Sequence, residues 1–316
     1  MNIFLRRYGT LIGCVLILAL FWIALPHTFM TARNWLNITE QVSMLTVVAA
    51  GMTIVMVMND FDLSVGSMAS LAGVVAAVLF TLGMPLGPAI ALALFAGLVG
   101  GLINGALVAF VGIMPFVATL ATLTIYSGAA FVVSGGRTIS GRVIPEAFGN
   151  FASDGVAIGA LTIPNLTIVA VIVVALVWVL LEQTTFGRRL YAIGGNIEAA
   201  HLSGVPVRRL KLIAFGLTGL SAALAGLLYA SRVASANPTQ GSGLMLNAIA
   251  AVFLGMTMAE HGEPRVLATV VGVLILGVLD NGLTQLSVDS YTRQILVGVI
   301  IVVAVAASSI FKTARR

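Results

Sequence analysis

Apolar residues recur along this sequence in runs of nearly membrane-spanning length, at roughly 11 to 25, 42 to 58, 63 to 82, 86 to 111, 115 to 134, 166 to 181, 212 to 231, 244 to 258, 266 to 283 and 294 to 311. A helix crossing the hydrocarbon core of a bilayer needs about 20 mainly apolar residues. The runs therefore predict an all-α polytopic membrane protein of about ten transmembrane helices. Residues 1–316 then form a single transmembrane domain, with no room for a separate soluble one. Composition agrees, with 59% hydrophobic and 9% charged residues, against about 25% charged in an ordinary globular domain. Such a chain suits the passive conduction of a small solute rather than soluble catalysis.

The formal charge of +5 comes without a basic stripe interleaved with aromatics, which excludes nucleic acid as a partner. The basic residues instead sit beside apolar runs, where they report orientation, because cytoplasmic loops retain Lys and Arg. With both termini inside, Arg6, Arg7, Arg188, Arg189, Arg208, Arg209, Lys211, Arg265, Lys312, Arg315 and Arg316 are cytoplasmic, 11 of the 16 basic residues. Arg33, Arg137, Arg142, Arg232 and Arg293 fall outside. No small-x-small cleavage site follows the first run, which predicts an uncleaved first helix. The lone Cys14 excludes an intrachain disulfide and a Cys-based zinc site.

Several chemistries lack their residues. There is no G-x-x-x-x-G-K-S/T loop for nucleotide phosphates, no H-E-x-x-H and no G-x-S-x-G, and His27, His201 and His261 are scattered. No catalytic residue, metal or cofactor is expected. Gly-Met-Thr at 51 and 255 and Asn-Gly at 104 and 281 hint at related halves, but the spacings disagree.

Polar residues stand out against this background. In the stretch Asn59-Asp60-Phe61-Asp62-Leu63-Ser64, two carboxylates divide two apolar runs. Ionisable groups at membrane depth are costly and mark solute paths. Asp62 also suits the cap of a helix starting at Leu63, and pathway and cap are compatible roles. Asn104, Asn247, Asp280 and Asn281, at or near run ends, could hydrogen-bond a hydroxylated solute. Glycines 97, 100, 101, 105, 272 and 277 read mainly as helix-packing residues.

Two connections are long: 135 to 165, which could fold as a short helix at the outer mouth, and 182 to 211, which carries five of the basic residues. Within the second, Gly195 and Asn196 precede Glu198-Ala199-Ala200, and Gly204 with Pro206 follows. Asn196 can cap a short amphipathic helix, Glu198 suits its N-terminal end, and Gly204 with Pro206 can end it. That helix is either a docking lever or a segment lying on lipid headgroups.

These stretches resemble the ribose-type sugar permease family of bacterial ABC importers, related to the branched-chain amino acid permeases. The resemblance covers nearly the whole chain and rests on five motifs in order: DLSVGS at 62 to 67, PFVATL at 115 to 120, TTFGRRLYAIGGN at 184 to 196, Glu198-Ala199-Ala200 with Gly204, and AIAAVFLG at 248 to 255. It implies a permease subunit translocating a monosaccharide, such as the pentoses ribose, arabinose or xylose. It also implies two cytoplasmic ATPase subunits, a periplasmic sugar-binding protein and a second permease copy, a homodimer being favoured. The Glu198, Ala199, Ala200 and Gly204 segment would dock on the ATPase. The chain departs from the family at Gly255-Met256-Thr257-Met258-Ala259-Glu260-His261-Gly262-Glu263, where a Gly-Gly-rich turn is usual. The rival reading is a self-sufficient channel or ion-coupled carrier, whose ion site would draw on Asp60, Asp62 or Asp280.

Overall fold

A computed structural model describes residues 3–159, 161–259, 262–296, 298, 299 and 302. Its helices are α1 (Ile3–Ala24), α2 (Ala32–Met56), α3 (Val65–Thr81), α4 (Leu86–Ala106), α5 (Pro115–Ser134), α6 (Glu146–Ser153), α7 (Asn165–Trp178), α8 (Thr185–Gly195), α9 (Ile197–Leu202), α10 (Val207–Arg232), α11 (Leu244–Met258) and α12 (Val266–Gln285). Five-residue π turns extend α4 over Leu107–Val111 and α7 over Val179–Gln183. The breaks follow residues that cannot continue a helix. Gly112 turns left-handed at φ 84° after the first π turn, Pro115 opens α5, and Pro164 precedes α7.

Among the described residues, six helices are long and apolar enough to cross a membrane: Ala32–Met56, Leu86–Val111, Pro115–Ser134, Asn165–Gln183, Val207–Arg232 and Val266–Gln285. Ile12–Ala24, Val65–Thr81 and Leu244–Met258 are apolar but shorter. The protein is thus an all-α multi-pass membrane protein, with six helices rather than about ten meeting the length criterion. The expected last run, 294 to 311, lies largely outside the described residues, as do Glu260, His261, Lys312, Arg315 and Arg316.

The chain divides into two compact units, 43–248 and the pair of segments 1–42 and 249–316. The larger unit is built on α3, α4, α5 and α10. Small residues let α4 and α10 meet backbone to backbone. A Cβ on Gly97 would stand 2.3 Å from Ala223 Cβ, and one on Gly101 only 2.2 Å from the Phe215 carbonyl oxygen. A Cβ on Gly219 would in turn lie 2.3 Å from the Gly97 oxygen. Without a hydrophobic drive between helices in lipid, such close approach is what holds them together. The outward faces carry the large apolar residues, among them Phe95, Phe110, Phe116 and Val171.

The 135 to 165 connection forms the expected short helix, α6, together with strands that its mixed composition did not announce. β1 (Ile139–Ser140) pairs antiparallel with β4 (Ser235–Ala236), and β2 (Gly155–Ile158) with β3 (Leu161–Pro164). Phe148 of α6 packs edge-on against Phe80 at 5.2 Å, and its carbonyl accepts the Ser231 hydroxyl at 2.6 Å. In the smaller unit Gly282 makes room for the Phe21 ring, 2.5 Å from where its Cβ would stand. Phe21 in turn packs on Phe29 at 5.4 Å.

Candidate functional site

The segment between α2 and α3 is the densest polar feature of the larger unit. Asn59 adopts a left-handed backbone, φ 61°, a conformation that asparagine tolerates better than most residues. Its side-chain amide donates to the Gly194 carbonyl at 2.7 Å. Gly194 is pressed against the same segment, since a Cβ there would lie 2.0 Å from the Val57 oxygen. Asp60 is buried and meets the Lys211 ammonium at 3.0 Å through one oxygen and 2.7 Å through the other. Gly194 and Lys211 flank α9, so residues 57 to 60 are tied to the chain on both sides of that helix.

Asp62 is fully buried. One carboxylate oxygen accepts the Ser64 N–H at 2.9 Å and the Ser64 hydroxyl at 2.6 Å. The Asn104 amide of α4 donates to both Asp62 oxygens at 3.3 Å and to Ser64 Oγ at 2.8 Å. The sequence expectation of a cap is corrected in detail. The helix begins at Val65, not Leu63, and Asp62 organises the turn leading into it rather than its first residue. Hydrogen bonds from neutral donors are what make a buried carboxylate tolerable. Asn104 Oδ1, also buried, has no hydrogen-bond partner among the described residues.

Asp60, Asp62, Ser64 and Asn104 are thus brought together with Asn59, whereas the remaining candidates are not. Asn247 lies exposed on α11. Asp280 and Asn281 belong to the smaller unit, in a network of their own. Asp280 receives Gln41 at 2.6 Å and Arg293 at 2.9 Å. Asn281 Oδ1 accepts from Asn34 at 3.1 Å and from Gln285 at 2.9 Å. Arg293 also donates to Thr284. The partners Lys211, Gln41 and Arg293 escaped sequence reading, because they sit 151, 239 and 13 residues away and nothing local links them.

The 195 to 206 segment is built as its residues suggest. Asn196 caps α9, its side-chain oxygen accepting the Ala199 N–H at 2.9 Å, and Glu198 lies in the first turn. Gly204 ends the helix with φ 79°, a conformation that costs glycine no Cβ clash. Ala200 is buried while Ile197, Glu198, Ala199 and Leu202 face out, and Leu202 is 87% exposed. Gly195, Gly204 and Pro206 are also on the surface.

A family described as the permease component of branched-chain amino acid transport systems matches residues 34–305. The chain belongs to that family. Within it the chain falls among ribose-type sugar permeases of ABC importers. It is 39% identical to the ribose import permease protein of Bacillus subtilis over 301 residues, covering 95% of this chain and 92% of that protein. It is 38% identical to the ribose import permease protein of Haemophilus influenzae over 312 residues, covering 99% and 96%. It is 36% identical to the galactose/methyl galactoside import permease protein of Escherichia coli over 328 residues, again 99% and 96%. No solved structure matches the chain.

Proposed function

We propose that this chain is the membrane subunit of an ATP-driven importer that passes a monosaccharide across the bacterial inner membrane. The observation that carries the reading is similarity along nearly the full length to permeases named for sugar import. Pentoses, ribose among them, are favoured as substrates. The chain acts as a single permease domain, paired with a second copy, and takes sugar from a periplasmic binding protein. Both termini are cytoplasmic and about ten helices span the bilayer, in keeping with the charge asymmetry. The work of transport comes from a separate ATPase docked on α9, whose exposed Ile197 and Leu202 and stiff caps suit a partner.

The path runs past Asn59, Asp60, Asp62, Ser64 and Asn104, with Asn247, Asp280 and Asn281 contributing elsewhere. Asn59 and the Asp60–Lys211 pair hold the path segment to both flanks of α9, a route by which displacement of α9 reaches Asp62 and the start of α3. An ion-coupled carrier is disfavoured by the same geometry. Asp60 is paired with Lys211 and Asp280 with Arg293, and Asp62 has its hydrogen bonds from Ser64 and Asn104. Deleting the gene and restoring it, while following uptake of labelled ribose, xylose, arabinose and galactose, tests the reading. Loss and recovery of one of these is expected; unchanged uptake of all four contradicts it.

A further inference from the structure

A cavity of about 180 Å³ opens in the larger unit between α3, α5 and the non-helical residues that lead into α11. None of the polar residues assigned above lines it. Its wall carries five hydroxyl side chains, Ser67, Ser70, Ser127, Thr239 and Ser242. Some of these hold the wall in place. Ser70 Oγ accepts the Gly241 N–H at 2.8 Å and donates to the Gly66 carbonyl at 3.3 Å, while Ser67 Oγ donates to the Ser64 carbonyl at 2.9 Å. The hydroxyls of Ser127 and Ser242 make no hydrogen bond among the described residues.

The cavity's position is not an accident of loose packing. Gly66 and Gly241 meet backbone to backbone, a Cβ on Gly241 falling 1.9 Å from the Gly66 oxygen. Gln240 reaches under α3 to donate to the Gly226 carbonyl at 3.1 Å and accepts the Asn237 N–H at 3.1 Å. The irregular segment is therefore pinned by its own polar side chains. Irregular backbone at membrane depth is tolerated where it is buried in protein or lines a water-filled cavity. The two helices that begin at the cavity, α3 and α11, are both shorter than a full span, with 17 and 15 residues. Interrupted helices that begin at a shared cavity are how transporters build solute sites.

The lining also selects a chemistry. It holds no charged side chain, which disfavours an ion or a zwitterionic amino acid and leaves a neutral solute. Hydroxyls share the wall with the apolar side chains of Leu63, Leu123 and Met245, a mixture that suits a sugar ring with polar edges and C–H faces. At about 180 Å³ the space has room for a small solute such as a single sugar ring. No aromatic side chain lines it, so the ring is held weakly, as conduction demands of a site that must also release.

We infer that this cavity is the transit site for a single neutral monosaccharide ring, with Ser127 and Ser242 as its free hydrogen-bonding groups. The inference rests on the importer reading and adds where the sugar sits. The test uses the permease with its ATPase and binding protein in membrane vesicles, with Cys14→Ser as the parent. Ser127→Phe, which fills the cavity, is expected to lower ribose or galactose uptake at least about tenfold, with stimulation of the ATPase by loaded binding protein retained. Ser127→Ala, which removes a hydrogen-bonding hydroxyl but fills no space, should lower uptake by less, about two- to fivefold. In a second measurement Ser127→Cys should react with a small thiol reagent, and excess monosaccharide, but not leucine, should slow the reaction. Undiminished uptake with both Ser127→Phe and Ser242→Phe overturns the inference, as does labelling of Ser127→Cys that no sugar slows. A parent that takes up no monosaccharide instead refutes the importer reading on which the inference stands.

Discussion

The Asp60–Lys211 pair offers the sharpest perturbation of the proposed link between α9 and the path. The ammonium lies 2.7 Å from one carboxylate oxygen, and the two side chains are only 7% and 12% exposed. Lys211→Met keeps the aliphatic length and removes the charge, leaving Asp60 buried beside an apolar methyl. Removing one partner of a buried pair costs about 3 to 5 kcal/mol, because the orphaned charge keeps its desolvation cost. With this slight exposure to water, the lower end, about 3 kcal/mol, applies. Asp60→Asn in the same background removes the orphan. The double variant should then be more stable than the sum of the singles predicts, by about 1 to 3 kcal/mol in a double-mutant cycle. The assay is denaturant unfolding of purified protein in detergent, run beside sugar-stimulated ATPase activity in vesicles. If the pair also transmits displacement, the double variant regains stability and still hydrolyses ATP, but moves less sugar per ATP than the parent. Additive stabilities would refute the pairing argument. Full transport per ATP in the double variant would refute transmission through it.

Asp62→Asn should lower uptake more than it lowers membrane abundance, since the amide would present an N–H to donors that now converge on a carboxylate; normal uptake would reduce Asp62 to a replaceable turn residue. Gly204→Arg combines a strained left-handed backbone with bulk on the exposed surface beside α9, and uptake should fail together with co-purification of the ATPase; retention of both would remove this segment from coupling. A cysteine at Asn150 in the Cys14→Ser background should react with an impermeant reagent from outside the cell, whereas reaction only from inside would invert the proposed topology.

How far the residues alone disclose this molecule depends on the range of the interactions. The expected run 115 to 134 coincides with α5, bounded by Pro115 and by Gly135 in a left-handed conformation, because helix ends are set by neighbours in sequence. The Asn196 cap and the Gly204 stop were readable for the same reason. Asp62 was legible as a local organiser, while its bond to Asn104, 42 residues on, was not. Asp280 and Asn281 looked like pathway residues because polarity in an apolar run is conspicuous; in the fold they are engaged with Gln41, Arg293, Asn34 and Gln285. The cavity was hidden for the opposite reason. Serines and glycines such as Ser70, Gly66 and Gly241 look like packing residues, and only the approach of two irregular backbones reveals the space they enclose. The span count is similarly blurred where Val65–Thr81 and Leu244–Met258 are shortened beside that space.

The measurement that bears most directly on the central claim is sugar uptake into liposomes holding this chain with its ATPase, with loaded binding protein on the side corresponding to the periplasm. The account predicts accumulation when ATP is supplied to the ATPase side, and none when a proton or sodium gradient is imposed without ATP. Accumulation driven by either gradient in the absence of ATP would contradict it.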